Sequence, residues 1–146
     1  MSVNDTTPKD QTDRVSFEVA LSHPPEKVWR ALTEPALLAE WLLPAFDFGL
    51  APGTRFKLKT DPVGGWDGVV ACEMLAVEPL KSISWAWVVG DIDTVVAFEL
   101  TPTDGGTHLS IVQTGFAEQQ KQNWGGARYG WRHMGAKLVA LLDGVA

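Results

Sequence analysis

Apolar and polar residues alternate along most of this chain, and the period changes once, near its end. Val15, Phe17, Val19 and Leu21 fall on one face of the segment Arg14–Leu21, with Ser16, Glu18 and Ala20 on the other. That is the period of a half-buried strand. Ser22-His23-Pro24-Pro25-Glu26 ends it and opens a short helix, with Ser22 or His23 expected at the cap and the prolines presetting φ for the first turn. Val28, Trp29, Ala31 and Leu32 form its apolar stripe. Glu34-Pro35 breaks it, and Ala36 to Trp41 predicts a second short helix that ends before Pro44.

Strand periods then follow in succession. Phe46–Leu50 predicts a short strand. Ala51-Pro52-Gly53-Thr54 predicts a turn, and Arg55–Thr60 a strand with Phe56 and Leu58 inside and Arg55, Lys57 and Lys59 on a wet face. Another turn is expected at Asp61–Gly65. A long apolar stretch, Trp66–Glu78, comes next. Ile83, Trp85, Trp87 and Val89 share one face, as do Val96, Phe98 and Leu100 within Asp93–Thr101. Asp104-Gly105-Gly106 is a hairpin signal, and His108–Thr114 closes the set with Leu109, Ile111 and Gln113 aligned. From Glu118 to Asp143 the period becomes helical. Gln120, Trp124, Ala127, Trp131, Met134, Leu138 and Leu142 make one stripe, with Tyr129, His133, Ala136 and Ala140 opposite. Gly125-Gly126 weakens the start of this helix and offers a second starting point after the pair. Hairpin-linked strands make the sheet antiparallel. The long amphipathic helix is the one element large enough to cover its apolar face, so the class is α+β. There is no internal repeat and no linker. Residues 1–12 read as a flexible polar tail and 13–146 as one domain.

Composition narrows the function classes. The 146 residues carry 12 Lys+Arg against 18 Asp+Glu, a formal charge of −6. Such a balance speaks against a nucleic-acid partner, which needs cations to displace phosphate counterions. No apolar run approaches the ~20 residues of a membrane span, so no membrane insertion is expected. A polar start without the apolar core of a signal peptide, together with a single cysteine, points to a reducing, cytoplasmic compartment. Cys72 sits in an apolar strand and reads as a small core residue. His23, His108 and His133 lack ligand spacing, so neither a metal nor a cofactor is expected, and no phosphate loop is present.

The order of elements and several local strings resemble the family named after the activator of the heat shock protein 90 ATPase. The strings are His23-Pro24-Pro25-Glu26-Lys27-Val28-Trp29-Arg30-Ala31-Leu32-Thr33-Glu34-Pro35, Trp41, Val77-Glu78-Pro79 with Ile83-Ser84-Trp85, Phe98-Glu99-Leu100-Thr101-Pro102 with Gly105-Gly106-Thr107-His108-Leu109, Gly115-Phe116, and Gly130-Trp131. They span about residues 12–143. The resemblance implies the helix-grip (START-like, Bet v 1-like) fold: a curved antiparallel sheet around a long C-terminal helix, two short helices after the first strand, and a cavity between sheet and helix. The superfamily includes lipid and hormone binders, polyketide cyclases and co-chaperone domains. The co-chaperones that name the family carry an additional N-terminal domain, for which a chain of this length is expected to have no room. That speaks against a chaperone partner.

Seven Trp against one Tyr is the compositional signal that bears on function. Trp supplies wide apolar walls and one N–H. Trp41, Trp66, Trp85, Trp87, Gln113, Trp131 and Met134 are the candidate walls of a site for a small hydrophobic or aromatic ligand; plain core packing is the competing reading for each ring. Gln113 points inward among apolar neighbours and needs partners, from a ligand, water or a nearby group. Two further readings stay open. A cyclase-like enzyme would need an acid or base inside the cavity, for which Asp67, Glu73, Tyr129 and His133 are the candidates; Glu73 and Glu99 are further polar anchor positions, both expected to face solvent. An interaction module, as a stand-alone co-chaperone domain or a homodimer, is the other.

Overall fold

The computed structural model describes residues 2–8, 12–62 and 66–144. Eight strands form one antiparallel curved sheet in the order β1-β2-β8-β7-β6-β5-β4-β3. The first strand of the alternating core is β2 (Arg14–Leu21), followed by α1 (Pro25–Thr33) and α2 (Pro35–Trp41). Then come β3 (Ala45–Phe46), β4 (Arg55–Lys59), β5 (Val69–Glu78), β6 (Ser82–Val89), β7 (Ile92–Thr103) and β8 (Gly106–Thr114). A single 3₁₀ turn, Glu118–Gln120, leads into α3 (Lys121–Gly144), which lies against the sheet. This is the expected helix-grip architecture.

The apolar alternation is the reason the sheet has an inside. Val15, Phe17 and Val19, Phe56 and Leu58, Ile83 and Trp85, Val96 and Phe98, and Leu109 and Ile111 are all buried on the concave side. Each set comes from residues two apart, as a pleated strand requires. In β5 the register against β6 slips between Met74 and Ala76, leaving Leu75 as the extra, exposed residue of a bulge. A bulge bends a strand and strengthens its twist.

Four expectations need correction. Residues 2–5, read as part of a flexible tail, form β1 (Ser2–Asp5), an edge strand on β2 with Val3 opposite Val19. Its ladder is made by backbone groups, so polar side chains do not prevent it, and Val3 packs where Gly135 of α3 leaves space. Met1 and residues 9–11 of that segment lie outside the described residues, as do 63–65 of the expected turn. β3 is two residues rather than five, because Asp47 takes a positive φ of 62° and turns the chain. The N-cap of α1 is Pro24, not Ser22 or His23, and no side chain caps it. Finally, α3 runs unbroken through Gly125-Gly126. Gln120 fixes its start, accepting from the Ala117 N–H at 2.8 Å and donating to the Asp91 carbonyl at 3.1 Å, while the Trp124 indole donates to the Arg14 carbonyl at 2.7 Å. At the other end Lys27 of α1 donates to the Leu142 carbonyl at 2.7 Å, satisfying a last-turn acceptor.

Asp5 ties β1 to α3. Its carboxylate meets Arg128 at 2.6 Å and Arg132 at 3.2 Å and accepts from the Thr7 N–H at 2.9 Å. Burial pushes its pKa up, but the hydrogen bonds from Thr7 and the Arg128 guanidinium more than offset this and hold it below the ordinary 3.8. A lowered folded pKa means stability that is present above the ordinary value and lost as pH falls through the folded one. Asp5→Asn should therefore cost about 0.5–1 kcal/mol at pH 7, and the difference from wild type should shrink from about pH 4 downward, as read by urea titrations across that range.

Candidate functional site

The two halves of α3 meet the sheet differently. Toward its end, Gly135, Leu138 and Leu142 are buried and the interior is filled. In its first half the helix presents Gly126, Ala127 and Gly130 to the sheet, and a cavity of about 390 Å³ opens there. A Cβ built at Gly126 would meet nothing within 4 Å, and one at Gly130 only the Met134 methyl at 3.7 Å. Gly130 is half-buried, so the space beside it is room that a side chain would occupy, whereas Gly126 is exposed at the open side of the cavity. Val70 of β5, Trp87 and Val89 of β6, Ile92 of β7 and Gln113 of β8 form the opposite wall. Trp131, Met134, Phe116, Leu43, Trp66, Thr60 and Asn123 complete the lining. Thr60 and Asn123 are exposed, so they stand at the mouth. The dimensions and the apolar lining match those of small-molecule sites.

Gln113, 3% exposed, is the buried polar group of this wall. The Trp131 indole N–H donates to its Oε1 at 2.7 Å. Its Nε2 donates to Thr94 Oγ1 at 2.9 Å, and that hydroxyl donates to the Trp87 carbonyl at 2.7 Å. A relay thus runs from helix to sheet, with neighbouring groups as Gln113's partners. The rings of Trp87 and Trp131 lie 5.7 Å apart at 53°, and Trp131 meets Phe98 edge-on at 5.9 Å. Trp66 is held at the mouth by its indole N–H, which donates to the Val69 carbonyl at 3.1 Å. Gly68 holds this corner in turn: its φ is +80°, and a Cβ there would lie 2.2 Å from the Thr60 carbonyl oxygen.

Of the seven wall candidates, Trp66, Trp87, Gln113, Trp131 and Met134 line the cavity, whereas Trp41 and Trp85 do not. Both of these are fully buried in the packed part of the interior. Trp41 donates to the Ala31 carbonyl at 2.8 Å, locking α2 to α1, and meets Phe98 edge-on at 6.3 Å. Trp85 sits among Phe48, Phe56 and Phe98 at 5.1–6.3 Å. Its indole N–H is buried without a partner among the described residues.

The candidate acids and bases are elsewhere. Asp67 is exposed and accepts from the Val69 N–H at 3.0 Å. Glu73 pairs with Arg55 at 3.5 Å, and Glu99 is exposed on β7. Tyr129, 67% exposed, stacks edge-on with His133 at 4.6 Å on the outer face of α3. His23 lies between Asp143 at 2.9 Å and Lys27 at 3.2 Å, and His108 meets Glu18 at 3.2 Å. Among the described residues no three His, Cys, Asp or Glu gather as metal ligands, and no helix is long and apolar enough to cross a membrane. Burial pushes the Cys72 thiol up to about 12, which leaves it unreactive.

A family model, that of the activator of Hsp90 ATPase homolog 1-like proteins, matches residues 22–143. The chain belongs to this family. The solved structure of protein MLL2253 from Mesorhizobium loti is 46% identical, with a TM-score of 0.85 over 91% of this chain and 98% of that one. Two others, NE0264 from Nitrosomonas europaea and CV1439 from Chromobacterium violaceum, are each 25% identical. Their TM-scores are 0.77 over 94% of this chain and 99% of that one, and 0.75 over 91% and 99%. No curated protein matches.

Proposed function

We propose that the protein binds a small apolar or aromatic molecule between the sheet and the first half of α3. The observation that carries this reading is the void at Gly126 and Gly130, faced by the indoles of Trp66, Trp87 and Trp131 and by one buried amide. A helix that closed the fold for stability alone would carry side chains at those positions. Two glycines inside a helix cost about 1 kcal/mol each, and the half-buried Gly130 also forgoes apolar burial. Among the described residues the lining includes no Asp, Glu, His, Lys, Cys or Tyr, which favours binding over acid–base chemistry.

The test is a titration against fatty acids, polycyclic aromatics and aromatic polyketides, followed by tryptophan fluorescence and calorimetry. Binding at micromolar Kd should quench or shift the emission of the wall indoles and show a negative heat-capacity change. Failure of every compound to bind below about 1 mM would overturn the reading.

A further inference from the structure

We propose that the cavity selects an uncharged aromatic molecule carrying a hydrogen-bond acceptor, in the first instance a ketone carbonyl, which receives the second N–H of Gln113. This inference rests on the ligand-binding reading and specifies its ligand.

The orientation of the Gln113 amide follows from its neighbours. An indole nitrogen only donates, so the atom 2.7 Å from Trp131 Nε1 is the amide oxygen. The Thr94 hydroxyl has one hydrogen and gives it to the Trp87 carbonyl, so at 2.9 Å from Gln113 it accepts. The amide nitrogen therefore faces Thr94, and it has two hydrogens. Thr94 takes one. The other meets no acceptor among the described residues, on a side chain that is 97% buried and lines the cavity. The Trp66 and Trp131 N–H groups of the same lining are already engaged. Buried orphan N–H groups are rarer and costlier than half-used carbonyl lone pairs. The unfilled demand of this wall is thus for an acceptor.

Charge is excluded by the same lining. Among the described residues no cationic or anionic side chain lines the void, so an ionised ligand would exchange its hydration shell for a neutral N–H donor alone. Flat rings are favoured by the tilted Trp87–Trp131 pair, whose faces and edges suit offset or edge-on contacts.

Three naphthalenes of nearly equal size separate these demands: 2-acetylnaphthalene, 2-ethylnaphthalene and the anion 2-naphthoate. Dissociation constants are measured by tryptophan quenching and calorimetry on the full chain. The ketone should bind roughly three- to tenfold tighter than the hydrocarbon, and the anion should bind weakest. In Gln113→Leu, or in the more nearly isosteric Gln113→Met should leucine prevent folding, the ratio of the hydrocarbon and ketone dissociation constants should fall to about one, whatever happens to the absolute affinities. A hydrocarbon bound as tightly as the ketone, an anion bound best, or a ketone advantage that survives both substitutions would overturn the inference and leave the binding reading in place. Failure of all three probes to bind while members of the wider panel do bind would overturn the inference alone; failure of the probes and of the whole panel would overturn both.

Discussion

Trp131→Ala is expected to destabilise the protein by about 3–5 kcal/mol. The side chain is 1% exposed and touches Trp87 and Phe98 at 5.7 and 5.9 Å between ring centres. Its removal enlarges a void that already exists beside it, so the walls have little to collapse onto. It also leaves Gln113 Oε1 buried without the indole N–H that now donates to it at 2.7 Å, which adds a desolvation penalty to the lost packing. Trp131→Phe keeps most of the ring contact and loses the hydrogen bond, and should cost about 1–3 kcal/mol. Trp85→Phe is the informative comparison. That indole is equally buried among Phe48, Phe56 and Phe98, but its N–H has no partner to lose among the described residues. It should therefore cost less than Trp131→Phe. Urea midpoints at unchanged m-value decide the order. A Trp85→Phe penalty equal to or above that of Trp131→Phe would mean that the relay through Gln113 adds nothing to ring packing.

How far the sequence reveals this molecule depends on whether a feature comes from repetition or from a single close approach. Strands such as Arg14–Leu21 and the faces of β4, β6, β7 and β8 are legible because burying one face forces a period of two over many residues. β1 lacks that imprint. It is an edge strand held by backbone bonds and by one apolar contact, Val3 on Gly135, whose added Cβ would sit 2.9 Å from a Val3 methyl. The trace it does leave is in the helix: a glycine inside an apolar stripe marks a close approach. β3 is cut short by one residue at positive φ, Asp47, which no alternation reports.

The wall residues divide along the same line. Alternation puts Trp85 and Trp87 on one face, and it says nothing about their position along the sheet. Two residues separate the packed aromatic cluster from the cavity wall. Trp41 is taken from the wall by a hydrogen bond to α1, a contact between two helices that no strand period encodes. Val70 and Val89 read in the sequence as ordinary strand positions. Gly125-Gly126 reads as a helix weakness and Gly130 only as part of a family string, whereas in the fold Gly126 and Gly130 line the cavity.

Gly130→Leu should accordingly abolish ligand binding and raise stability together. A helical leucine directs its side chain back toward the preceding turn, which here carries Gly126 and Ala127, the floor of the cavity. The Cβ itself meets only the Met134 methyl at an ordinary 3.7 Å, and Met side chains repack readily. Replacing an interior helical glycine gains about 1 kcal/mol in propensity. Burying part of the new side chain against Trp87 and Trp131 adds to that, so thermal midpoints should rise by roughly 2–4 °C for each kcal/mol. Core-filling substitutions usually strain their surroundings; a gain in stability here would be the signature of a void kept for something other than folding. Thermal unfolding and titration with the wild-type ligand are the two measurements. A leucine variant that is less stable and still binds would mean that the helix face is not the floor of the site.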